Sequence, residues 1–80
     1  MSPLDVAGLF GVAALLVAYA LTVSGRLGAT HPAALAMNLV GALLILASLW
    51  GAFNLSAVVI ETAWAIIALT GLVRHALRRR

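Results

Sequence analysis

Four polar or aromatic side chains stand out against an apolar background, and Glu61 comes first. It is one of only two acidic residues in 80 and sits inside the apolar run Leu55 to Val73. At 1.5 Å per residue it lies about 9 Å along a helix from Leu55, which is the outer half of a bilayer. A carboxylate at such a depth costs roughly 2.5–3.5 kcal/mol unless it is neutral, paired or facing water. It therefore marks either a proton, cation or substrate site, or a neutral acid that ties helices together by hydrogen bonding. Trp64 is one turn further along on the same face and too deep for an interfacial belt. Asn38 and Tyr19 share a depth nearer the cytoplasmic end on two earlier runs, and an amide in lipid needs partners, so a Tyr19–Asn38 hydrogen bond is expected, within one subunit or between two. Glu61 and Asn38 are expected at opposite depths, which argues against one site holding both.

The elements that must position these residues follow from the hydropathy. Hydrophobic residues make up 65% of the chain and charged residues 9%, with a mean hydropathy of +1.18. A soluble domain needs a polar exterior that this composition cannot supply. Three apolar stretches are predicted as transmembrane helices over about 4–23, 32–50 and 55–76, forming one membrane domain across 1–80. Ser2, Pro3 and Asp5 read as cap, first helical position and dipole partner of the first helix. Gly25 and Gly28 end it, Pro32 opens the second, and Gly51 to Asn54 form an uncharged turn before the third. Ala18-Tyr19-Ala20 has the pattern of a signal-peptide cleavage site. The basic n-region such a peptide needs is absent, so the first helix is expected to remain.

Charge placement sets the expected orientation. The net charge of +3 comes from Arg26, Arg74, Arg78, Arg79 and Arg80, with no lysine. With three crossings, all five arginines fall on the side of the first loop and the tail. The positive-inside rule then places the N-terminus outside and the C-terminus in the cytoplasm. The same arginines suit contact with anionic lipid, and without interleaved aromatics they do not read as a nucleic-acid surface.

Other chemistry is thin. There is no cysteine, and His31 and His75 without matched acids make a poor metal site. Neither a nucleophile–base pair nor a phosphate-cradling glycine loop appears, so no catalysis and no cofactor is expected. Trp50 and Phe53 suit an aromatic belt. Close helix contact is expected through Gly41 and Ala42 on the Asn38 face and through Ala65 and Ala68 on the Glu61 face. The pairs Ala7/Gly11 and Ala14/Ala18 have the spacing of small-residue contacts but are common in alanine-rich helices.

The segment Asn38-Leu-Val-Gly-Ala-Leu-Leu-Ile-Leu-Ala-Ser-Leu-Trp50, then Phe53-Asn54, Glu61-x-x-Trp64 and Gly71-Leu-Val-Arg74, carries a resemblance. It is similar to short, three-span bacterial inner-membrane proteins often labelled permease-like, with Tyr19 fitting the first helix. The resemblance implies a fold and a location, and no activity. More distantly, the span count, the Leu49-Trp50-Gly51 turn and a polar third helix resemble three-helix half-transporters of the bacterial sugar-transporter type. The Pro-Gln pair of those proteins is missing from the first helix. The expected protein is a small transporter-like or accessory inner-membrane protein. The alternatives are a homodimeric half-transporter or channel and a structural subunit of a larger membrane complex. Its expected partners are the bilayer and either a second copy or a larger membrane protein.

Overall fold

The computed structural model describes residues 2–78. They form three helices and, among the described residues, no strand: α1 (Pro3–Val23), α2 (Pro32–Ser48) and α3 (Leu55–Arg78). Arg79 and Arg80, two of the arginines expected to set topology, lie outside the described residues.

Each helix boundary has a local cause. Ser2 and Asp5 form a reciprocal capping box. The Asp5 N–H donates to Ser2 Oγ and the Ser2 N–H donates to Asp5 Oδ2, both at 3.2 Å. Two of the orphan donors at the helix start are thereby satisfied, with Pro3 in the first turn. α1 ends where Gly25 takes φ +81°, a left-handed conformation that an L side chain resists. The Arg26 N–H then reaches back to the Leu21 carbonyl at 3.0 Å. His31 caps α2 through Nδ1, which accepts from the Ala33 N–H at 3.0 Å. Asn54 Oδ1 accepts from the Ala57 N–H at 3.2 Å and caps α3 in the same way.

α2 stops at Ser48, two residues short of the expected end. The amides of Trp50, Gly51 and Ala52 bond carbonyls three residues back, to Ala47, Ser48 and Leu49. That tighter winding closes the helix before the glycine is reached. α3 runs two residues past its expected end, through Arg78. At 21 and 24 residues, α1 and α3 are long and apolar enough to cross a bilayer, whereas α2 is a shorter apolar helix of 17.

α2 is the middle of the structure. It packs antiparallel against α1 on one side and α3 on the other, and α1 and α3 do not pack on each other. The buried positions are small: Gly11 and Ala18 of α1, Ala34, Gly41 and Ala42 of α2, and Ala68 of α3, with Leu35 the one large exception. The large apolar side chains point outward instead, Phe10, Leu16, Ile60 and Ile67 among them. Small residues let backbones approach closely, as in helix packing where van der Waals contact matters more than water exclusion. Gly41, Ala42 and Ala68 are buried as expected and Ala65 is half-buried. The α1 stripe of small residues, which is weak as a motif, supplies the whole of the α1 contribution to the core.

Candidate functional site

Because α1 and α3 stay apart, a cleft remains between them with α2 as its floor. It has a volume of about 470 Å³, and its walls include Leu15, Tyr19 and Thr22 from α1 and Trp64 from α3. Asn38 supplies the polar floor, and Ala29 of the first loop borders one end. Three of the four residues singled out in the sequence, Tyr19, Asn38 and Trp64, therefore meet in one place. Glu61 is not among the lining residues.

Asn38 is held on both sides of its amide. Its Nδ2 donates to the Ala34 carbonyl one turn back at 2.8 Å. Its Oδ1 accepts from Trp64 Nε1 at 2.9 Å, a bond that links α2 to α3 across 26 residues of sequence. An indole N–H can only donate, so this pairing fixes which way the amide faces. Within the chain, the hydrogen-bond partners of the Asn38 amide are Ala34 and Trp64 rather than Tyr19. Tyr19 stands on the opposite wall, largely exposed, with no hydrogen bond to its hydroxyl among the described residues.

Glu61 is three residues before Trp64 on α3, about 4.5 Å of rise. Glu61 is half-buried. No hydrogen bond or ion pair reaches its carboxyl group among the described residues.

Two further residues act in ways the sequence did not suggest. Gly71 admits Leu35: a Cβ on Gly71 would stand 3.0 Å from both Leu35 methyls. Gly8 admits Ser48, whose Cβ and Oγ would each lie 2.8 Å from a Cβ there. A glycine opposite a larger residue in the neighbouring helix is the signal that could have found both, once the antiparallel register was known. His31 is occupied as a helix cap, and no group of three metal-ligating side chains gathers among the described residues. Trp50 and Phe53 are strongly exposed in the turn between α2 and α3.

No curated protein and no solved structure matches the chain. A protein-family model matches residues 4–80. Tyr19, Asn38, Glu61 and Trp64 all fall within that span, and the chain belongs to the family that the match defines.

Proposed function

We propose that this chain is a small multi-pass protein of the bacterial inner membrane, transporter-like and without catalysis of its own, that works as a homo-oligomer. The observation that carries the reading is the open cleft. An amide floor and aromatic walls line the gap that α1 and α3 leave between them, and Glu61 stands outside it, one turn from Trp64 on α3. One chain presents half of an enclosed path, and a second copy laid across the gap would supply the missing side.

Membrane insertion is supported by the distribution of side chains. Small residues fill the core while large apolar residues face outward, an arrangement suited to lipid and costly in water. α2 is short, at about 26 Å of rise for 17 residues, but its Leu49-Trp50 extension and aromatic end suit an interfacial finish. The structure extends 41 Å in its longest direction, against about 40–45 Å for a bilayer including its headgroup regions. The first loop and the end of α3 lie at the same end, with Thr30 beside Arg74, His75 and Arg78. That grouping favours an N-terminus outside and the arginine-bearing end in the cytoplasm.

The deciding measurement is the mass of the intact complex after gentle extraction. A pure dimer or higher multiple of the chain supports the homo-oligomeric path. Stable co-purification with a different membrane protein moves the assignment to a structural subunit, and a monomer that keeps its helices removes the enclosed path.

A further inference from the structure

A second cavity lies at the arginine-bearing end, about 180 Å³ in volume and lined by Thr30, Leu35, Gly71, Arg74, His75 and Arg78. Leu35 seated against Gly71 forms its apolar floor. The polar groups around it can all donate: two guanidinium forks, which do nothing else, and an imidazole and a hydroxyl, which can also accept. His75 Nε2 is shielded from solvent and has no hydrogen-bond partner among the described residues, although buried polar atoms are as a rule satisfied.

The chain cannot neutralise this cluster with its own acidic side chains. It has two, Asp5 and Glu61. Asp5 is engaged in the cap at the start of α1, at the far end of the antiparallel layer. Glu61 is 13 residues before Arg74 on the same helix, which is about 20 Å of rise. We propose that this cavity binds a phosphate oxyanion from outside the chain, held by Arg74 and Arg78, with His75 Nε2 and the Thr30 hydroxyl completing its shell. Arginine forks match phosphate geometry in pairs of bonds, and the donors outnumber what a carboxylate's two oxygens accept well. The volume falls below the roughly 300–1,000 Å³ of pockets for whole small molecules, which suits a head group or a free ion.

The phosphate has two possible sources, an anionic phospholipid at the membrane surface or inorganic phosphate. The lipid source depends on membrane insertion; the site itself does not, and resistance of the chain to alkaline extraction from membranes tests insertion separately. The experiment uses the full chain, purified in mild detergent and reconstituted into phosphatidylcholine vesicles with or without phosphatidylglycerol. Lipid retained on the protein is read by mass spectrometry of the intact complex. A parallel titration of delipidated protein with inorganic phosphate is read by phosphorus NMR. The lipid source predicts retained phosphatidylglycerol, reduced about tenfold by Arg74→Gln and by His75→Leu and far less by Arg26→Gln, which lies outside the cavity and offers only a general surface charge. Should Arg74→Gln lose its helices, Thr30→Val and Arg78→Gln carry the same comparison. Phosphate binding with that residue dependence but no preference for phosphatidylglycerol keeps the site and assigns it to a soluble ion. Loss of equal size in Arg26→Gln, or no binding in either arm, overturns the proposal.

Discussion

Gly11 and Gly41 meet backbone to backbone across the α1–α2 interface. A Cβ on Gly11 would stand 2.6 Å from the Gly41 carbonyl oxygen, and one on Gly41 would stand 2.8 Å from that of Gly11. No rotamer change relieves a clash with backbone, so the two helices would have to separate. The glycines set the distance at which Leu15 and Ile45 can flank the contact, and through α2 they set the position of Asn38.

Gly41→Ala and Gly11→Ala should each destabilise the fold by about 1–3 kcal/mol, the usual scale of overpacking. Gly28→Ala is the control, because a Cβ there meets nothing within 4 Å. It should stay within about 0.5 kcal/mol of the parent, as exposed substitutions do. Reversible unfolding in mixed detergent micelles would measure all three. A Gly41→Ala protein as stable as Gly28→Ala would mean that the close approach is not where the stability resides.

Trp64→Phe should leave Asn38 Oδ1 without its donor while keeping most of the aromatic bulk. Hydrogen bonds between helices in membranes average about 0.6 kcal/mol and reach about 1.7. A loss in that range is expected for Trp64→Phe. In a double-mutant cycle with Asn38→Ala, the second substitution should cost less once the first is made. Strict additivity would show that the bond contributes nothing to holding α3 on α2.

Helix existence was legible in the sequence because long apolar runs, a Ser-Pro-x-Asp start and well-placed glycines all act locally. The same locality explains what was missed. The end of α2 depended on three short-range turn bonds that favour no particular side chain. The partner of Asn38 depended on the register between α2 and α3, which a single chain's hydropathy does not encode. Asn38 was singled out as an amide in an apolar run, and Trp64 as an indole too deep for the interface and one turn from Glu61. Only the antiparallel packing of α3 on α2, seen also where Gly71 receives Leu35, brings the two side chains within hydrogen-bonding reach.

Single cysteines at Ser2, Gly28 and Ala52 test the orientation. With the N-terminus outside, an impermeant thiol reagent added to intact cells should label the first and third and leave Gly28→Cys unlabelled until the cells are broken. External labelling at Gly28 would reverse the topology or change the number of crossings.

Glu61 separates a structural role from a transport role. It stands one turn from the Trp64–Asn38 bond, half-buried, with no partner for its carboxyl group among the described residues. The nearest arginine along α3 is Arg74, about 20 Å away. In the homo-oligomer proposed above, a group from a second copy would be its partner. Glutamine matches the length and shape of the neutral acid and keeps both a donor and an acceptor, whereas leucine keeps bulk alone. Glu61→Gln should therefore retain helix content and the assembly size of the parent. Glu61→Leu should weaken assembly by roughly the 0.6–1.7 kcal/mol of an interhelical hydrogen bond. Cellular function then decides the rest. A bond that only ties helices together survives in Glu61→Gln, so growth and phenotype should match the parent. A group that takes up and releases a proton or pairs with a cation cannot be replaced by an amide, and the same variant would assemble normally yet lose activity. We expect the first outcome, because the one polar network seen beside Glu61 already ties two helices together. Failure of Glu61→Gln to assemble would overturn both readings, since it would require a charged carboxylate held by a cation from another chain.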